Sequence, residues 1–292
     1  MTGRFSKPDR LLVLFGVVSC AAVATGALVS ASSGVPAAAW ARNLAAWGVG
    51  ALAGIVIART MRPGFLAVAL WIAPAGLLAT FFSPDQQGVH RWVDLGPLHA
   101  NVAMFLLPAA IVALAASAWR GLWPWIAALL SLGLLVAQPD SSQATALGVV
   151  AVLIAAVAVR PLAIWAALIG AAGVLTALAW LRPDPLQPVA EVEQIIKLAF
   201  ALSPLAAGVA VLLLLAVAAA PAVSTRSSAP DLRLAGSSLG LCFLVWAGAP
   251  FLGAFPVPLV GVGVSPIIGS WLGIGLLAGL LRSHDAPSSP FR

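Results

Sequence analysis

The sequence predicts an all-α protein: a polytopic transmembrane helix bundle of about ten spans, N-in and C-in with respect to the cytoplasm. Three observations carry this. Hydrophobic residues fill 62% of the 292 positions and charged residues only 8%, whereas a soluble domain is about half apolar and about a quarter charged. Apolar runs near the length that crosses a ~30 Å hydrocarbon core recur along the whole chain. Cationic residues gather in alternate connections between those runs. No stretch remains for a soluble domain, so residues 1–292 read as a single transmembrane domain.

The same composition removes several function classes. Cys20 and Cys242 both lie in apolar runs and offer neither a disulfide framework nor a metal site. The net charge of +6 belongs to the loops of a membrane protein, not to nucleic-acid binding. No P-loop, G-x-G-x-x-G unit, HExxH or CxxC pair occurs, which argues against an ATP-driven pump, a nucleotide-cofactor enzyme and a zinc protease. The spans hold almost no charge at mid-depth, which argues against a buried proton relay. Tyr is absent, so the interfacial aromatic role falls to tryptophans such as Trp119, Trp123, Trp125 and Trp180.

Taken in order, residues 1–10 are polar and basic, and Leu11 to about Ser30 is the first apolar run. Val17–Cys20 resembles a lipoprotein cleavage box. The run continues past it, however, and outlasts the ~7–15-residue core of a secretory signal, so it reads as a span. Further runs follow at Ala37–Ala58, Gly64–Phe82, Leu98–Ala118, Leu122–Ala137, Ala144–Val159, Leu162–Leu181, Ile195–Ala220, Leu234–Gly253 and Val262–Leu281. Several are rich in Gly and Ala, as helices that pack closely in lipid are.

With a cytoplasmic N-terminus, Arg4, Lys7, Arg10, Arg59, Arg62, Arg120, Arg160, Arg226, Arg233, Arg282 and Arg292 fall inside. Only Arg42, Arg91, Arg182 and Lys197 fall outside, and the acids distribute the other way. That asymmetry sets the orientation. Outer loops then lie near 83–97, 138–143, 182–194 and 250–266, after a first one at Ser30–Arg42. The inner connection Pro221–Arg233, rich in Ser, Pro and Arg, is a solvated linker.

The polar island Leu181–Phe200 stands out, with Arg182, Asp184, Glu191, Glu193 and Lys197. Unpaired charge in hydrocarbon costs about 2.5–3.5 kcal/mol per group, so this island lies outside the bilayer or lines a cavity. Asp184, flanked by Pro183 and Pro185, has the pattern of a turn. Glu193 and Lys197 have the i, i+4 spacing of a solvated ion pair on a short helix. Glu191 or Glu193 could instead hold a divalent cation with Asp184, because hard cations take carboxylate oxygens. Asp140 follows Pro139 where it can cap the helix that begins beside Ser141 and Ser142. Arg91 can pair with Asp94, with Trp92 at the interface. Arg42 can snorkel to headgroups, and His99 reads as an interfacial histidine.

Four stretches, in this order and spacing, resemble the SEDS family (shape, elongation, division and sporulation; the FtsW, RodA and SpoVE group). They are GVHRWVDLG at Gly88–Gly96, AQPDSSQATAL at Ala137–Leu147, DPLQPVAEVEQIIKLA at Asp184–Ala199 and PLVGVGVSPIIGS at Pro258–Ser270. The family shows a G-x-x-RW-x-x-LG loop, then QPD-LGTA, a DP loop running into a helix, and a P-TG–LP–SYGG stretch before its last helix. Ser30–Ser32 followed by Arg42-Asn43 is also similar to the family's start. The resemblance covers nearly the whole chain.

The resemblance implies a multi-pass protein of the bacterial inner membrane that polymerises undecaprenyl-pyrophosphate-linked disaccharide (lipid II) into peptidoglycan during elongation or division. It also implies a class B penicillin-binding protein as partner, contact with membrane lipid, and often a divalent cation, Mg or Mn. Asp184 matches the catalytic aspartate by its DPL context and would act as general base toward the acceptor sugar hydroxyl. Arg91 and His90 are candidate phosphate contacts, because a guanidinium presents a fork of donors to phosphate oxygens and offsets charge on the leaving group. Trp92, Asp140 and Arg42 complete the candidate substrate-binding set. The chain also departs from the family. His99-Ala100-Asn101-Val102 stands where the family has Q-P-S-E and a nearby Lys. Ser141-Ser142 follow the QPD, the region after Ala199 is short, and SYGG is reduced to Pro266–Ser270. Two alternatives therefore stand beside the glycosyltransferase: a non-catalytic SEDS-like scaffold of wall synthesis, and a lipid-linked sugar flippase or transporter.

Overall fold

The computed structural model describes residues 6–96 and 98–285. Arg4, Pro97 and Arg292, used above for charge and loop placement, lie outside the described residues. Among those residues α1 spans Lys7–Ser32, α2 Ala37–Thr60 and α3 Gly64–Ala79. A hairpin of β1 (Trp92–Leu95) and β2 (Leu98–Asn101) leads into α4 (Val102–Ser117), α5 (Trp123–Ala137), α6 (Ser141–Ala158) and α7 (Leu162–Leu181). The short α8 (Ala190–Glu193) and α9 (Ile195–Leu202) precede α10 (Pro204–Ala219), α11 (Pro230–Gly248) and α12 (Val264–Asp285).

Local sequence accounts for the helix starts. The Ser6 side chain accepts from Asp9 N at 3.3 Å and Pro8 occupies the first turn of α1. Pro124, Pro204 and Pro230 sit in the first turns of α5, α10 and α11, where a missing N–H costs nothing. Asn101 caps α4 through Met104 N at 2.9 Å, and Ser203 caps α10 through Ala206 N at 3.0 Å.

Among the described residues eight helical segments are long and apolar enough to cross a membrane, and α4 and α5 are shorter apolar helices. With α9 and α10 stacked as one crossing, this is the polytopic all-α bundle of about ten passes that hydropathy anticipates. Two boundaries differ from the sequence reading. The run beginning at Leu98 opens as a strand, because Gly96 turns the chain at φ +64° and Leu98 pairs back onto Leu95. The helix starts only after the Asn101 cap. The run Ile195–Ala220 is broken at Ser203, where Pro204 lacks the N–H to continue the ladder.

The bundle centre is α12, with 83% of its apolar window buried, whereas α7 at the periphery has 17% buried. Its contact with α2 depends on missing side chains. A Cβ on Gly275 would meet the Gly54 carbonyl oxygen at 2.5 Å and its Cα at 2.6 Å. Beside this crossing, Trp271 stands edge-on to Phe15 at 4.9 Å and to Trp47 at 5.8 Å between ring centroids.

Alternating helix direction sorts the connections. Arg282 bonds Asp9 at 3.0 Å, joining the end of α12 to the start of α1. Arg59, Arg62, Arg120, Arg160 and Arg233 occupy helix ends on that same side. The hairpin, residues 138–143 and residues 182–194 lie at the opposite end. The positive-inside bias makes the first end cytoplasmic and the second outer.

Gly275→Ala is expected to cost about 1–3 kcal/mol through overpacking, read as a lower melting temperature in detergent. Gly133 has nothing within 4 Å of an added Cβ, so Gly133→Ala should be neutral or mildly stabilising. Equal damage from both would contradict this account of the α2–α12 contact.

Candidate functional site

At the outer end a cleft of roughly 290 Å³ brings together polar side chains from several outer loops, among them Arg91, Asp140, Asp184 and Glu193. Its floor begins at the hairpin. Val102 N donates to Arg91 O at 3.2 Å, and the Thr80 hydroxyl lies 2.7 Å from His90 O. Gln138 Nε2 donates to Thr80 Oγ1 at 2.7 Å and to Leu77 O at 2.9 Å. The 138–140 turn is thereby fastened beside residues 90 and 91. Asp140 then caps α6, accepting from Gln143 N at 3.2 Å and from the Ser142 hydroxyl at 3.0 Å.

Arg91 is the hub. It is 7% exposed, and Nη2 donates both to Pro139 O and to Asp184 Oδ2, the latter at 2.7 Å. Its Nε lies 3.8 Å from Asp140 Oδ2, outside hydrogen-bond reach, and has no hydrogen-bond partner. One buried guanidinium therefore stands between carboxylates from two different loops, with its Nε buried and unpaired. Asp184 holds its turn by accepting from Leu186 N at 3.2 Å, and its side chain stays 29% exposed. It is thus both a turn residue and a reachable carboxylate.

The last outer loop closes the site. Val257 N donates to Val192 O at 3.1 Å and Val262 N to Glu191 O at 2.8 Å, tying residues 257–262 to α8. From α2, Asn43 Nδ2 donates to Gly261 O at 2.8 Å while its Oδ1 accepts from Gly263 N at 3.0 Å. Ser265 accepts from Asn101 N at 2.9 Å. Trp246 Nε1 donates to Gln143 Oε1 at 2.9 Å, and Trp180 Nε1 to Thr145 Oγ1 at 2.8 Å.

Several sequence expectations need correction. His90 does not line the cleft: its ring packs on Phe81 at 5.2 Å, because it and Arg91 point to opposite sides of the chain. Arg42 is exposed and donates to Ala38 O on its own helix at 2.8 Å. Arg91 does not pair with Asp94, which faces His99 Nδ1 at 2.6 Å across the hairpin. Glu193 and Lys197 do not share one helix, since the chain breaks at Gln194 and Glu193 accepts from Val189 N at 2.6 Å instead. Trp92 and Asp140 do line the cleft with Arg91 and Asp184. Sequence reasoning missed Asn43, Gln138 and Ser265. A buried amide in an apolar helix was the available signal for Asn43.

Among the described residues no three His, Cys, Asp or Glu side chains gather closely enough to hold a metal ion. The guanidinium of Arg91 fills the space between Asp140 and Asp184 where a cation would sit. This donor set does not fit a divalent ion.

A multi-pass membrane protein with a polar cleft at its outer end is therefore the class that fold and site define. No family model matches the sequence, and no curated protein matches it by sequence. Solved structures do match by fold. A mutant of the rod shape determining protein RodA from Thermus thermophilus aligns with TM-score 0.71 at 22% identity, covering 94% of this chain and 97% of that one. A second structure of Thermus thermophilus RodA gives TM-score 0.67 at 23% identity over the same shares of both chains, 94% and 97%. A chain of a peptidoglycan synthase complex, solved to explain how polymerization and crosslinking are coordinated, gives TM-score 0.62 at 22% identity and again covers 94% and 97%. This chain has the RodA fold.

Arg91→Gln is expected to destabilise the protein by about 3 kcal/mol or more, since it leaves the buried Asp140 without a compensating charge. Asp184→Asn should cost less, because Asp140 still balances Arg91. Chemical denaturation in detergent orders the two. Burial raises the Glu193 carboxyl above its ordinary value of 4.5, with Glu191 and Asp184 adding to the effect and backbone bonds from Val189 and its own N–H opposing it. The folded state thus binds that proton more tightly, so the contribution is full below pH 4.5 and is lost as pH rises through the folded value. Glu193→Gln should raise the melting temperature at pH 7.5 and leave it nearly unchanged at pH 4. A gain that is larger at pH 4 would contradict the assignment.

Proposed function

We propose that this protein is a SEDS-type component of peptidoglycan synthesis in the bacterial inner membrane. In this reading it polymerises undecaprenyl-pyrophosphate-linked disaccharide with a class B penicillin-binding protein as partner. The observation that carries the reading is the buried Arg91 bonded to Asp184 across 93 residues of sequence in an outer cleft. The RodA fold, and the occurrence of that fold in a peptidoglycan synthase complex, support the same assignment.

The chemistry follows from the pair. Arg91 orients the Asp184 carboxyl through the Nη2–Oδ2 bond at 2.7 Å. An incoming pyrophosphate competes with Asp184 for the Arg91 guanidinium at Nη2. Asp184, released toward the open side of the cleft, accepts the proton of the acceptor sugar hydroxyl as that oxygen attacks the anomeric carbon of the donor. The bond from that carbon to the pyrophosphate breaks, and Arg91 stabilises the charge left behind. Trp92 and Trp180 offer faces on which sugar rings can stack beside the pair.

A second reading, a non-catalytic scaffold of the same process, draws on one observation. The stretch His99–Val102, from β2 into the first residue of α4, carries no acid or lysine to assist Asp184.

The purified protein, combined with a class B penicillin-binding protein and lipid II, is expected to yield glycan polymer on a gel. Asp184→Ala should abolish that polymer while leaving the melting temperature within a few degrees of wild type. Absence of polymer from wild type would favour the scaffold, and polymer that survives Asp184→Ala would remove Asp184 as the base.

A further inference from the structure

The cytoplasmic end carries a second polar concavity. A cleft of roughly 630 Å³ opens where the end of α4, the turn from α6 to α7 and the start of α11 meet, and Arg120, Arg160 and Arg233 all line it. Arg120 and Arg160 come from the α4–α5 and α6–α7 connections, and Arg233 from the start of α11. Asp231 is the single carboxylate in the lining, and it lies 3.4 Å from His284 Nε2 on α12. Arg233 reaches only the Ser227 and Ser228 carbonyls, at 3.4 Å. Among the described residues neither Arg120 nor Arg160 has a carboxylate within ion-pair distance.

Three guanidiniums around one concavity repel one another unless an anion lies between them. Their spacing over separate helix ends suits an anion with more than one charged group, because each guanidinium offers a planar fork to phosphate oxygens. The rim tells which kind of molecule carries those groups. Trp119, 43% exposed, and Val157, 41% exposed, line the cleft beside the arginines. A soluble phosphate would leave these apolar side chains unmatched. A phospholipid matches both parts, with phosphates against the arginines and acyl chains against the rim.

We propose that this cleft binds the headgroup of an anionic phospholipid of the cytoplasmic leaflet, with a diphosphate-bearing headgroup preferred over a monophosphate one. Basic pockets between transmembrane helices on the cytoplasmic side are suited to such headgroups. The site lies at the opposite end of the bundle from the Arg91 cleft and does not depend on the chemistry assigned there.

Native mass spectrometry of the delipidated full chain, titrated with diphosphatidylglycerol, tests this directly. Wild type should retain one such lipid, and Arg120→Gln/Arg160→Gln should bind it about thirtyfold more weakly, as expected for the loss of two interfacial charges. Arg62→Gln, a cation at the same end but outside the cleft, should leave the affinity unchanged. Both variants alter exposed residues, and an unshifted melting temperature in lipid-free detergent confirms that each is folded. Equal binding by the double variant and wild type would overturn the site. Equal affinity for phosphatidylglycerol would overturn the preference for two phosphates. Saturable binding of inorganic pyrophosphate with no binding of either lipid would overturn the lipid as the source of the phosphates.

Discussion

Neutralising one buried guanidinium is the constraint on which the outer end of this molecule depends. Arg91 carries a permanent charge into a site that excludes most water, and an unpaired ion there costs several kcal/mol. The chain meets that cost with Asp184 at 2.7 Å, the Pro139 carbonyl and, less closely, Asp140. Those partners come from the connections after α5 and after α7. Two turns that are far apart in sequence are thereby held to the hairpin by electrostatics rather than by packing. The Gln138–Thr80 and Asn43–Gly261 bonds perform the same fastening with neutral groups.

The rest of the bundle gives that constraint a rigid base. Close approach of α2 and α12 at Gly54 and Gly275 fixes where Asn43 presents its amide. The Trp271 cluster with Phe15 and Trp47 joins α1 to the same crossing. Small residues set the helix spacing, and helix spacing sets the position of the last outer loop against α8. Packing in the hydrocarbon thus reaches the polar cleft through helix placement.

Much of this was legible in the sequence, for physical reasons that can be stated. Membrane solvent forces every spanning backbone into a helix, so hydropathy located the passes, and the arginine bias gave their direction. Asp140 and Asp184 were readable because Pro-Asp and Asp-Pro are strong turn and cap signals. The partner of Arg91 was not readable: Asp94 is nearer in sequence, but the hairpin alternates side chains and turns Asp94 toward His99. His90 failed as a site residue for the same period-two reason, being one position away from Arg91. The break at Gln194 also escaped, because nothing in AEVEQIIKLA is a helix breaker. The fold bends there to let residues 191 and 192 bond the 257–262 loop.

The burial of α12 bears on biogenesis. Of the eight long spans among the described residues it is the most enclosed, with 83% of its apolar stretch covered, and it is synthesised after the other seven. The slot it fills, lined by Gly50 and Gly54, stands vacant until translation of that segment finishes. Earlier helices must wait at the translocon in a loose, lipid-filled arrangement. Final compaction waits for α12, and a nascent chain stalled before residue 264 holds its polar cleft residues without the keystone that locks them together.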